Sequence, residues 1–235
     1  MREIVLSLIC GILLLGIATG CEKNNNSTST NSGTNNEINN NQDESITSNN
    51  ITIEKVKNTK ETNSSLFSYV EVEGGISITD YTGTDEIVVV PEVIDGKTVV
   101  SVGKNAFVNN DTMKGLKIAN TIKTIEYGAC LNCTELQVLV SGTSLKTIND
   151  YAFSSTKLEF VELNNGLETL EISCFGFTNL KEIEIPSSVI NINLPLLVDE
   201  VNNNGSITVI GKVGSAAEQY VKEKGEEYHL NFQAK

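Results

Sequence analysis

Two cysteines three positions apart, Cys130-Leu-Asn-Cys133, are the sharpest chemical signal in the chain. Such a pair serves thiol exchange or metal binding. Zinc would need two further ligands, yet no second CxxC and no histidine lies near; the one histidine, His229, stands in the terminal stretch. A redox pair would want a helix start after a strand, and this pair falls in a connecting segment instead. Cys130, Cys133 and Cys174 are therefore expected as small buried hydrophobes. Glu159, Glu162, Glu182 and Glu184 could be taken as paired acids, but a solvated face is the ordinary reading of such spacing. No Ser-His-Asp arrangement, phosphate loop or calcium loop is visible. The expectation is a non-enzymatic protein without cofactor or metal.

Charge narrows the partners. The 235 residues include 30 acidic and 17 basic side chains, a net charge of −13, which repels a phosphate backbone and argues against nucleic acid.

One more cysteine has a possible chemistry. After Arg2, an apolar run from Ile4 to Ile17 is broken only by Ser7, Cys10, Gly11 and Gly16. It is shorter than the about 20 residues that cross a ~30 Å hydrocarbon core, and suits a signal peptide. Ala18-Thr-Gly-Cys21 follows and resembles a bacterial lipobox. The resemblance implies cleavage after residue 20 and a diacylglycerol thioether on Cys21, hence a membrane anchor. Ordinary secretion, with Cys10 and Cys21 as apolar filler, is the alternative. Residues 21–65 are dominated by Asn, Ser and Thr without an apolar period. Nothing there offsets an ordering entropy of ~1–2 kcal/mol per residue, so this stretch is expected to be a disordered tether spanning roughly 35 Å r.m.s..

The elements that must position any surface come from a repeat. Val102-Gly-Lys-Asn-Ala-Phe107, Ile125-Glu-Tyr-Gly-Ala-Cys130, Ile148-Asn-Asp-Tyr-Ala-Phe153 and Leu170-Glu-Ile-Ser-Cys-Phe175 recur at steps of 23, 23 and 22. Further columns are Met113, Leu136, Leu158 and Leu180, then Leu116, Leu139, Val161 and Ile183, then Ile118, Ser141, Leu163 and Ile185. One unit reads L-x-x-V-x-I-(turn)-x-x-V-x-x-I-x-x-x-A-F. No unit of this kind buries its apolar side alone; stacked units share one continuous core.

Thr147-Ile-Asn-Asp-Tyr-Ala-Phe153, Asn132-Cys-Thr-Glu-Leu136 and Leu180-Lys-Glu-Ile-Glu-Ile-Pro186 resemble the BspA-like leucine-rich repeats of bacterial surface proteins. The resemblance spans roughly residues 66–232. It implies a right-handed repeat solenoid with a parallel β-sheet, and a role in protein interaction or adhesion at a host or neighbouring-cell surface.

Each end of a solenoid needs a cover. Phe67 to Glu73 and Ile76 to Tyr81 alternate around Gly74-Gly75, a hairpin signal. Ile94-Asp-Gly-Lys-Thr-Val99 reads as a second tight hairpin. Residues 66–194 are thus expected to form the repeat domain with its N-terminal hairpin cap. Residues 195–235 should form a C-terminal cap of strand, helix and strand, the helix opened by a Ser215-Ala-Ala-Glu218 capping box and stopped at Gly225.

In L-x-x-V-x-I the three apolar columns point inward, so the residues flanking the middle one face outward on the concave sheet. Those pairs are Ile87/Val89, Gly115/Lys117, Val138/Val140, Phe160/Glu162 and Glu182/Glu184. Ile87, Val89, Val138, Val140 and Phe160 are the candidate protein-binding residues, since adjacent apolar side chains on a sheet face often mark an interface. Alternatively, a tail or the N-terminal hairpin folds over them. Two functional expectations follow: a lipid-anchored surface module for an extracellular or host protein or a neighbouring cell, or a structural envelope protein whose solenoid packs on itself or on wall components.

Overall fold

The apolar columns dictate where the chain turns inward, and the computed structural model, which describes residues 50–197 and 206–235, follows them. The expected signal peptide, Cys21, the expected tether up to residue 49, and residues 198–205 lie outside the described residues. In chain order come α1 (Ile53–Asn58), β1 (Phe67–Val72), β2 (Gly75–Tyr81), β3 (Ile87–Val89), β4 (Val93–Ile94) and β5 (Lys97–Val102). Each following turn gives two short strands: β6 (Gly115–Lys117) and β7 (Thr124–Ile125), then β8 (Val138–Val140) and β9 (Thr147–Ile148). The next are β10 (Phe160–Glu162) and β11 (Thr169–Leu170), then β12 (Glu182–Glu184) and β13 (Asn191–Ile192). The chain ends with β14 (Ile207–Gly211), α2 (Ala216–Tyr228) and β15 (Leu230–Ala234).

These strands build a parallel β-solenoid of about seven turns. One sheet runs β1-β2-β5-β7-β9-β11-β13, and a second runs β10-β8-β6-β3. The register holds the repeat: Thr124 pairs with Thr147, Thr147 with Thr169, and Leu116 with Leu139. Met113, Leu116, Leu136, Leu139, Leu158 and Ile183 all lie in one continuous buried core.

A third ladder runs along the Ala-Phe segments. Phe107 N–H donates to Ala129 O at 2.7 Å, Cys130 N–H to Ala152 O at 2.7 Å, and Phe153 N–H to Cys174 O at 2.9 Å. Two columns of left-handed residues bend the chain around this side: Asn105, Gly128, Tyr151 and Ser173, then Asn109, Asn132, Ser155 and Phe177. Only Gly128 is a residue free of the Cβ penalty at positive φ. The ladder, made between successive coils, holds the others there. Ala106, Ala129, Ala152 and Cys174 are buried where coils pass closely, and Phe153 stacks on Phe175 with ring centroids 5.6 Å apart.

Both caps are present, with differences in detail. β1 and β2 pair antiparallel, and β2 joins β5 in parallel, so the hairpin closes the N-terminal side of that sheet. A Cβ on Gly75 would lie 2.1 Å from Thr98 O, so this close passage of hairpin and β5 requires glycine. β4 and β5 form the second hairpin, turning at Asp95 and Gly96 with φ of 50° and 76°.

At the other end β12, β14 and β15 form a parallel trio with α2 between its last two strands. The expected capping box is not formed, because Glu218 reaches past Ser215, whose own N–H donates to Lys212 O. Glu218 Oε2 accepts from Gly214 N–H at 2.6 Å, and the Ser215 hydroxyl makes no capping hydrogen bond. α2 does not stop at Gly225; it continues to Tyr228 and closes on His229 at φ 53°. Gly225 serves packing instead, since a Cβ there would meet Leu230 O at 3.1 Å.

The largest departure is at the N-terminal boundary. Residues 51–65, expected within the disordered tether, are part of the fold: α1 spans Ile53–Asn58 and a 3-10 turn spans Ser64–Leu66. Thr52 caps α1, its side chain accepting from Lys55 N–H at 3.1 Å. A helix of six residues has little stability in isolation, so its order comes from what it lies on.

Candidate functional site

α1 lies on the outward side of the four-stranded sheet. Leu139 points into the solenoid core, so its neighbours Val138 and Val140 point out, as alternation requires. They are nonetheless buried, because Ile51 and Val56 close over them, with Ile53 and Ile87 packed at the margin. The expectation that Val138, Val140 and Val89 are exposed is therefore corrected: all three are buried. The register is right; the chain's own N-terminal segment supplies the cover.

Polar contacts fix this cover at its C-terminal end. Lys57 Nζ lies 2.6 Å from Glu162 Oε2, and Lys117 Nζ donates to Lys57 O at 3.0 Å. Further on, Thr62 seals the free edge of β3. Its N–H donates to Val89 O at 3.0 Å, and its hydroxyl accepts from Val89 N–H at 3.0 Å. An open strand edge would otherwise present unpaired backbone groups.

Sequence reasoning missed Ile51, Val56 and Lys57 as parts of this site, although one signal for them was present. Gly115 interrupts a column otherwise filled by Ile87, Val138, Phe160 and Glu182. Glycine inside a strand often marks close approach by another part of the chain. Here a Cβ on Gly115 would lie 2.6 Å from Val56 Cγ2 and 3.2 Å from Ile51 Cγ2.

The cover ends at β10. Phe160 is 51% exposed. Beyond it Glu182 and Glu184 are exposed on β12, and Lys235 Nζ sits 2.7 Å from Glu184 Oε1. Of the candidate residues, Ile87 is half-buried beside α1, Val89 lies under the Thr62 edge seal, Val138 and Val140 lie beneath α1, and Phe160 alone is open. The four carboxylates do not form an acid pair. Glu162 is engaged by Lys57 and Glu184 by Lys235, while Glu159 and Glu182 face solvent.

The thiols are elsewhere, inside the coil. Cys130, Cys133 and Cys174 are free and fully buried. Cys130 occupies the phenylalanine column, and Cys133 Sγ donates to Phe107 O at 3.0 Å. Burial, and then hydrogen bonding to Cys133, pushes the Cys130 thiol well above its usual range. Burial does the same for Cys174. A thiol that resists ionisation is a poor nucleophile and a poor metal ligand. Among the described residues no cluster of three His, Cys, Asp or Glu side chains could hold a metal ion. His229 is an exposed helix cap. Among the same residues no helix is long and apolar enough to cross a membrane.

Comparison with known proteins agrees with this geometry. Residues 90–199 match the BspA type leucine rich repeat region in six copies. A leucine-rich repeat protein of T. pallidum is similar at 26% identity and a TM-score of 0.56, over 64% of this chain and 71% of that one. A leucine-rich repeat protein from Bacteroides ovatus shows 27% identity and a TM-score of 0.49, over 54% of this chain and 36% of that one. No curated protein matches. With a 22–23-residue period, parallel ladders and six matched repeats, residues 90–199 form a leucine-rich repeat region of the BspA type.

Proposed function

We propose that this protein is a lipid-anchored interaction module on the outer side of a bacterial cell membrane. In this reading Cys21 carries the anchor, the Asn-, Ser- and Thr-rich residues after it are the spacer, and the solenoid holds a partner. BspA-like leucine-rich repeats are in general protein-interaction or adhesion scaffolds. The partner is an extracellular or host protein, or a protein of a neighbouring cell. The observation that carries the reading is Phe160, half exposed on a sheet face whose other apolar residues are buried or, at Ile87, half-buried. Aromatic side chains, phenylalanine included, are enriched at protein interfaces.

Fractionation tests the anchor. Detergent should be needed to extract the wild-type protein from membranes, and Cys21→Ala should leave it in the medium or as an unprocessed precursor. Two acyl chains give a stable anchor where one is marginal. Mature wild-type protein found free, and beginning at another residue, would contradict the anchor.

A further inference from the structure

We infer that α1 is a displaceable occupant of a docking groove, and that the groove takes a partner helix that is aliphatic on one side and basic at its end. This rests on the reading of the solenoid as an interaction module.

The groove records the chemistry of what fits it. Its floor is Gly115, Val138 and Val140, and the absent side chain at Gly115 makes room for Val56 and Ile51. At one end Glu162 receives a lysine, and Lys117 receives the carbonyl of that same lysine. An aliphatic pair followed by a cation at a helix C-terminus meets all of these features at once. Lys55 and Lys57 both stand in the last turn of α1.

The hold on α1 is modest. Only Ile51 and Val56 of the segment belong to the buried cluster, and the Lys57–Glu162 pair is partly solvated. Surface pairs of that kind contribute little. The chain after α1 is fastened independently, by Thr62 on Val89. α1 can lift from the groove while this edge seal and the solenoid core stay intact.

α1 also leaves part of the face unused. Phe160 and Glu182 lie uncovered past the helix. A longer helix of the same chemistry would make every contact α1 makes and would also cover Phe160, with a further cation meeting Glu182. The net charge of −13 favours a basic partner.

The probe is a fluorescent peptide of residues 50–64, added to the full chain. Val56→Asp, which touches only the outer cluster, should free the groove and bind the peptide at least about tenfold more tightly than wild type, because the internal occupant competes at high effective concentration. Adding Val138→Asp to that variant should remove the binding. Should Val56→Asp fail to fold, Ile51→Ser with Val56→Ser provides the same release. Equal affinity for wild type and variant, or no binding to a folded variant whose residues 53–58 exchange freely, would overturn the inference. Dimers of the wild-type chain that trade α1 would also overturn it, assigning the groove to a second copy. These outcomes concern the groove alone, whereas the anchoring and Phe160 experiments test the wider reading.

Discussion

Val56 stands over Gly115 so closely that a single added methyl carbon at Gly115 would lie 2.6 Å from Val56 Cγ2. Real Cβ contacts do not come that near, so the glycine is the condition for α1 to dock. Gly115→Val should therefore eject α1 while sparing the core on the other side of β6. Amides of residues 53–58 should exchange at least about tenfold faster, as local opening without global unfolding allows. The main melting transition should barely move. A loss of many degrees would show that Gly115 serves the solenoid itself.

Most of the solenoid was readable because stacking repeats each constraint at every turn. Leu116, Leu139, Val161 and Ile183 occupy one column, and a register error at one of them would have conflicted with its neighbours. The same alternation correctly put Phe160, Glu182 and Glu184 outside. Residues 51–58 offered no such redundancy. A six-residue helix carries too little period to detect, and Ile51, Ile53 and Val56 are embedded in polar sequence. Its order is tertiary, set by a groove some sixty residues downstream in sequence. The extent of α2 was hidden for a related reason: Gly225 was taken for a stop, but the approach of Leu230 uses that glycine within the helix.

Phe153 tests the core. Its ring is fully buried and stacks on Phe175 at an interplanar angle of 8°. Phe153→Ala should cost about 3–5 kcal/mol, the usual penalty for emptying such a site. Denaturant unfolding would measure it. A change below about 1 kcal/mol would mean that the coil collapses around the gap.

Thiol chemistry should follow burial. Cys130, Cys133 and Cys174 should not react with a thiol reagent in the native protein, and all three should titrate under denaturant. The raised pKa of Cys130 and Cys174, caused first by burial, opposes thiolate formation at neutral pH. Fast native labelling, or only one of the three reactive after unfolding, would show an open or oxidised pair at Cys130 and Cys133.

Partner binding through the sheet face on which Phe160 lies open can be read by a photoreactive benzophenone side chain placed at position 160 on living cells. A matched probe at Ile190, which is 70% exposed in the connection just before β13, serves as the control. One discrete protein adduct is expected from position 160 and none from position 190, with Phe160→Asp reducing capture of that protein while leaving the melting temperature nearly unchanged. Adducts from position 190 alone, or capture unaffected by Phe160→Asp, would contradict binding through this face.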